Sequence, residues 1–167
     1  MSMRRVAYAD PPYIGMAHLY RDHPDYAGEV DHRQLITRLC DEYPDGWALS
    51  LHSPSLRIIL PMCPDNVRVM AWVKPFSSFK PNVNPAYAWE PVIVRCDFKR
   101  SRDDDTVRDW VAANITLQRG LVGAKPDAFC YWLFQVLGLE RGDQFDDLFP
   151  GTGGVARAWE RYRRRLL

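Results

Sequence analysis

Two short stretches carry residue types that could do chemistry. The first is Asp10-Pro11-Pro12-Tyr13. Val6 to Ala9 before it is apolar and β-prone, so the acid sits at a strand end. Two prolines without N–H groups make a rigid polar corner whose carbonyls face no competing donor. Such a corner can accept both hydrogens of an exocyclic amino group. An amine conjugated into a ring is a poor nucleophile. Hydrogen bonds to Asp10 and a proline carbonyl would stabilise the positive charge that grows on its nitrogen during attack. The Tyr13 ring can stack on the ring that bears the amine. The plain alternative is a strand-to-loop turn that happens to hold an acid.

The second stretch is Asp147-Leu148-Phe149-Pro150-Gly151-Thr152-Gly153-Gly154. A strand that feeds a glycine turn and then a helix lets a ligand approach the backbone closely. The helix start offers free N–H groups to an anionic end such as a carboxylate. The full GxGxxG pattern and a Walker lysine are both missing. Glycine turns before helices are common, so this stretch alone is a weak signal.

The elements that must position these stretches alternate between strand and helix. After Val6–Ala9, residues 14–30 read as a loop. Asp31 reads as an N-cap for a helix over Arg33–Glu42, with Leu35, Ile36 and Leu39 as its apolar stripe. Trp47–Leu51 reads as a second strand. A helix opens at Ser53-Pro54 and stops near Pro61 or Pro64. Val67–Val73 and Pro91–Cys96 read as strands, with a proline-containing loop over 76–88 between them. Residues 97–108 read as a charged surface loop. Lys125–Leu139 reads as a helix whose face carries Phe129, Trp132, Leu133 and Val136. Phe145–Phe149 is a fifth strand, and a last helix runs from Val155. This alternation predicts one open, mostly parallel α/β sheet, with ligands at the carboxyl ends of its strands.

The bulk numbers agree with one ordinary globular domain over 1–167. The chain has 47% hydrophobic and 26% charged residues, and 22 basic against 21 acidic groups. That balance excludes a histone-like basic protein but not a local basic patch. No apolar run reaches spanning length, and no secretory leader is apparent, so a cytoplasmic protein is expected. Cys40, Cys63, Cys96 and Cys130 lie in no CxxC spacing and are expected reduced and buried. His18 and His23 flank Asp22 without a defensible ligand pattern, so no metal is expected. Asp103, Asp104 and Asp105 read as a solvated acidic loop. Trp47, Trp110 and Trp132 read as core or interface. The last helix carries Arg157, Arg161, Arg163, Arg164 and Arg165 opposite an apolar stripe. Those arginines are a wet face or, on the functional reading, phosphate contacts.

Taken together, the two stretches resemble the amino-methyltransferases that use S-adenosylmethionine on adenine N6 or cytosine N4. The order of parts is similar to the permuted class, with the catalytic motif first and the glycine-rich motif last. Ala71-Trp72-Val73-Lys74-Pro75, Trp89-Glu90-Pro91-Val92-Ile93 and Gly123-Ala124-Lys125-Pro126 resemble intermediate family stretches. The resemblance spans nearly the whole chain and implies a Rossmann-like methyltransferase sheet. Its strands would be the family's fourth, fifth, sixth, seventh and first. The chain also resembles small methyltransferase-like proteins of actinobacteria and their phages, and 18 arginines against 4 lysines suit a GC-rich genome.

The resemblance implies roles residue by residue. Asp10, Pro11, Pro12 and Tyr13 would hold the target amine and base. Asp147, Phe149, Gly151 and Gly153 would shape the cofactor site, with Lys125 and Pro126 flanking it. Lys74, Trp89 and Glu90 would form the substrate rim. The cofactor would be S-adenosylmethionine, and the substrate adenine N6 in DNA, single-stranded or with its base flipped. The family's acidic strand for the ribose hydroxyls does not follow the glycine motif here. That departure implies truncation after the cofactor-motif helix and weak cofactor binding. It also raises a second reading: a catalytically weak or inactive module of the same fold that binds nucleic acid or a partner methyltransferase. A homodimer or partner subunit stays open on both readings.

Overall fold

The computed structural model describes residues 3–24, 26–115 and 124–166. Its strands are β1 (Arg5–Ala9), β2 (Gly46–Ser50), β3 (Arg68–Val73), β4 (Trp89–Cys96), β5 (Trp110–Ala112) and β6 (Gln144–Asp147). Its helices are α1 (His32–Glu42), α2 (Leu56–Ile59), α3 (Asp127–Val136) and α4 (Gly154–Arg163). The strands form one sheet in the order β5-β3-β4-β2-β1-β6. All neighbours run parallel except at β4, which is antiparallel to both β2 and β3.

Period-two alternation sends β1 residues to two cores. Val6 and Tyr8 join Phe129, Leu133, Phe134, Ala158 and Trp159 under α3 and α4. Ala7 and Ala9 join Leu35, Leu39, Trp47, Leu49 and Ile59 under α1 and α2. The sheet is thus covered by helices on both faces, as parallel sheets require. Trp47 is fully buried and Trp132 nearly so, as core residues should be.

Local chemistry sets several boundaries. Gln34 N–H donates to Asp31 Oδ1 at 3.0 Å, which caps α1 and is worth about 1 kcal/mol. At the end of α3, Gly138 has φ +60°, and the Leu139 and Gly138 N–H groups donate to the Phe134 and Gln135 carbonyls. This Schellman closure uses the left-handed backbone that glycine adopts cheaply. It also seats the Phe98 ring against the turn. A Cβ on Gly138 would lie 2.3 Å from that ring.

Four expectations are corrected. The helix expected from Ser53 is two 3-10 turns on either side of the single turn of α2; Pro54 opens it, and Pro61, which has no N–H to donate back along the helix, falls in the last turn. A sixth strand, β5, follows the charged loop as an edge beside β3, and places Trp110 43% exposed there, outside the core. Within 14–30, Ala17–Tyr20 forms a 3-10 turn. Of the four thiols only Cys130 is fully buried, and the others are half-buried; all four are free. Gly123 and the 116–120 part of the loop region lie outside the described residues. No described helix is long and apolar enough to cross a membrane.

Candidate active site

The sheet order marks one position for a ligand before any side chain is considered. From β1 the chain moves to β2 on one side, whereas β6 lies on the other side of β1. In an open α/β sheet, ligands bind where the order reverses, at the carboxyl ends of the strands. Asp10 leaves the end of β1, and Asp147 ends β6 opposite Tyr8 in the pairing register. The two motifs found in sequence therefore lie side by side at the carboxyl ends of β1 and β6, where this class of sheet binds ligands.

Asp10 does not stand alone there. Lys125, two residues before α3, has its side chain only 4% exposed, and its Nζ lies 3.4 Å from Asp10 Oδ2 and 3.3 Å from Glu90 Oε2. Lys74 Nζ closes on Glu90 Oε1 in a short ion pair. The chain Asp10–Lys125–Glu90–Lys74 thus alternates in sign. Lys125 also lies over the Trp72 ring, 4.8 Å from its centroid. A buried ammonium tolerates this position because two carboxylates and a ring face share its charge.

The titration behaviour follows from these contacts. Burial pushes the Asp10 carboxyl above the ordinary carboxylate range, and Lys125 pulls it part of the way back. Burial also acts against ionised Glu90, but Lys125 and Lys74 outweigh it and hold this carboxyl low. Burial opposes the charge on Lys125, and the two carboxylates more than restore it. Burial, reinforced by Asp10, raises Asp147 to about 6, although the Phe149 N–H donates to it at 3.3 Å.

Tyr13 is fixed twice. Its hydroxyl faces Glu90 closely enough to help hold that carboxyl low, and its ring stacks on His52 at 4.8 Å and 12°. His52 accepts from or donates to Ser55 Oγ at 2.7 Å, and burial holds its pKa below the usual value. One face of Tyr13 is therefore taken by a neutral imidazole. Ser50 at the end of β2 meets the Tyr8 hydroxyl at 2.7 Å in the interior.

The glycine turn is built from left-handed backbone. Gly151 has φ +51° and Gly153 φ +79°, and Gly153 caps α4. A Cβ at Gly151 would meet nothing within 4 Å, so open space lies above it. Arg157 folds back from α4 and donates to the Thr152 carbonyl at 2.6 Å.

Lys125, expected to flank the cofactor site with Pro126, directs its ammonium to Asp10 and Glu90 from just before α3. Glu90, expected on the rim, sits between two lysines at 14% side-chain exposure. Trp89 does lie at the outside, 40% exposed. His52 was not among the candidate residues. Its position just past the end of β2 was the available signal, since that is where this sheet class keeps its functional groups. Of the last-helix arginines, Arg161 pairs with Asp127 at 2.7 Å and Arg163 with Glu160 at 3.1 Å. Their charge is partly answered within the chain.

No family model matches the sequence, and no curated protein does. Solved structures do. The crystal structure of the M1.HpyAVI-SAM complex superposes with a TM-score of 0.65 at 14% identity, covering 96% of this chain and 79% of that one. The crystal structure of M1.HpyAVI gives 0.61 at 13% identity, covering 98% of this chain and 78% of that one. The fold is the methyltransferase-like Rossmann fold.

Proposed function

We propose that this chain is an S-adenosylmethionine-dependent methyltransferase acting on the exocyclic amine of a nucleobase, adenine N6 in DNA. The observation that carries the reading is the placement of both motifs at adjacent strand ends. The acid-and-proline corner after β1 and the glycine turn after β6 meet where the strand order reverses. Support also comes from the likeness in fold to a SAM complex of M1.HpyAVI. The order of parts, catalytic corner first and glycine turn last, is the permuted one.

The residues present fit the cofactor. Space lies open over Gly151, and α4, ten residues long, points its N-terminus at the turn. Asp147, Phe149, Gly151 and Gly153 would hold the group, which supplies an electrophilic methyl when bound. The chain's own residues do the rest. Asp10 and a proline carbonyl accept the two amine hydrogens and orient the nitrogen lone pair. The growing positive charge on nitrogen is met by the carboxylate, whose stabilisation is larger in the transition state than in the ground state. Lys125 approaches Oδ2 of Asp10 and leaves Oδ1 for the amine. Tyr13 supports the base with the ring face that His52 does not cover. Lys74 and Glu90 hold Lys125 and Tyr13 in place.

A second reading keeps the fold and drops turnover, leaving a module that binds nucleic acid or a partner methyltransferase. The observation in its favour is that Lys125 already engages Asp10. Tritium transfer from labelled cofactor to DNA, with calorimetry of cofactor binding, separates the two. On our reading the wild type transfers label to an adenine amine. Asp10→Ala then loses about 10²–10³-fold in rate while binding cofactor within twofold. Full activity in Asp10→Ala removes the catalytic assignment. Cofactor or nucleic-acid binding by the wild type without transfer establishes the module, and label on cytosine N4 corrects the base.

A further inference from the structure

The loop between β3 and β4 exposes more aromatic surface than any loop needs for its own folding. Phe76 is 72% exposed, Phe79 88% and Tyr87 58%. Burying one such ring would stabilise the fold by roughly 1.5–3 kcal/mol, yet three within twelve positions are left outside.

They are presented, not frayed. The Lys74 N–H donates to the Ala88 carbonyl at 2.7 Å and closes the base of the loop. The Phe76 N–H donates to Asn114 Oδ1 at 3.0 Å, which ties the loop to the residues after β5. The loop holds Pro75, Pro81 and Pro85, which stiffen it further.

Two observations say what these rings meet. First, the loop rises from the catalytic corner itself. Its two stems are Lys74 and Glu90, the pair that leads through Lys125 to Asp10. Second, no acid occurs between Lys74 and Glu90, whereas Lys80 stands among the rings. An uncharged aromatic surface with a single cation, free of carboxylates, suits a polyanion whose bases are unstacked. A base held by Asp10 must leave its stack, and its neighbours then need a new surface.

We infer that Phe76, Phe79 and Tyr87 form a stacking subsite for the unpaired bases flanking the target in a single-stranded nucleic acid. The inference rests on the proposed reaction for the identity of the target, but its test does not use the reaction.

The test is fluorescence anisotropy of the full chain, without cofactor, on a labelled oligodeoxythymidylate and on an abasic strand of equal length. The wild type is expected to prefer the base-bearing strand. The triple variant F76A/F79A/Y87A is expected to lose that preference, with each engaged ring worth roughly 5- to 150-fold. Binding to the abasic strand should stay the same. Lys80→Ala should weaken both strands alike and lower the salt slope by about 0.7. If the triple variant is unfolded by circular dichroism, Phe79→Ala alone decides, since its ring is the most exposed.

Equal affinity for both strands in the wild type overturns the subsite, as does a preference that survives in the folded variants. A concentration-dependent dimer abolished by the triple variant, with strand affinity unchanged, assigns the rings to a second copy of the chain instead. A strand preference without methyl transfer upholds the subsite while removing the proposed reaction, and transfer without the preference does the reverse.

Discussion

Replacing Lys125 with methionine removes a charge and keeps most of the stem over Trp72 and Phe129. In the wild type one ammonium serves Asp10 at 3.4 Å and Glu90 at 3.3 Å. At an effective dielectric near 20, a pair at that distance interacts by about 5 kcal/mol before desolvation is counted. Breaking a buried pair costs about 3–5 kcal/mol net. Lys74 still partners Glu90, so the lower end, about 3 kcal/mol, is expected near pH 7. That is a large share of a domain's stability of about 5–15 kcal/mol.

The loss must depend on pH, and its sign is fixed. Unfolded carboxylates titrate near 4. In the wild type the lowered pKa of Glu90 gives stability above that value, which fades as pH falls through the folded value. Without Lys125, Asp10 has lost the contact that pulls its already raised pKa down. A raised carboxylate costs stability as pH climbs from its unfolded toward its folded pKa. The gap between the two proteins therefore narrows as pH falls below about 4, through the folded value of Glu90, and widens as pH climbs above about 4 toward the raised value of Asp10. Urea unfolding at a series of pH values measures it, with m-values confirming comparable unfolded states. A gap of constant size at every pH would refute the electrostatic reasoning and leave Lys125 as packing alone. On the proposed function the acid limb of the activity profile also moves up, because Asp10 must be ionised to meet the amine.

Three further outcomes are expected. Gly151→Val should block cofactor binding, because its side chain enters the space above the turn. Its cost to the fold is limited to placing a β-branched residue at φ +51°, so calorimetry should change far more than thermal melting. Asp147→Asn should raise the melting temperature at pH 7 but not at pH 4. Asp147 titrates at about 6, and its ionised form costs stability that the neutral amide avoids. Gly138→Ala should be among the most destabilising single changes, since its Cβ would overlap the Phe98 ring; urea unfolding should show a loss of several kcal/mol, and Phe98→Ala in the same chain should recover part of it.

What could be read from sequence was local. The Asp31 cap and the apolar stripe of α1 are set by residues within four positions of each other, and both were visible. So were the strand before Asp10 and the turn after Asp147, because prolines and glycines mark them. The pairing of β5 with β3 was not visible. A three-residue strand has little pattern of its own, and its register, Ala71 against Trp110, joins segments far apart in sequence. The apolar spacing after Ser53 suggests a regular helix and its prolines mark where it ends, but spacing alone does not tell α-helical from 3-10 turns. Glu90 and Lys125 were found as positions, but not as partners. Their meeting depends on the direction of β4, which no stretch of sequence states.

That direction has a consequence for how such a protein can change. By running against its neighbours, β4 begins at the end of the sheet where the others finish. Trp72 pairs with Glu90 and Val73 with Trp89 across the β3–β4 ladder. The polar framework around Asp10 is therefore fixed by the hairpin's rungs, and the segment between 75 and 88 hangs outside it. Length or composition can drift in that segment without disturbing the ions beneath. The architecture thus separates a fixed ionic framework from an exchangeable attachment, so that, on the proposed function, what the protein grips can diversify without altering the corner at Asp10.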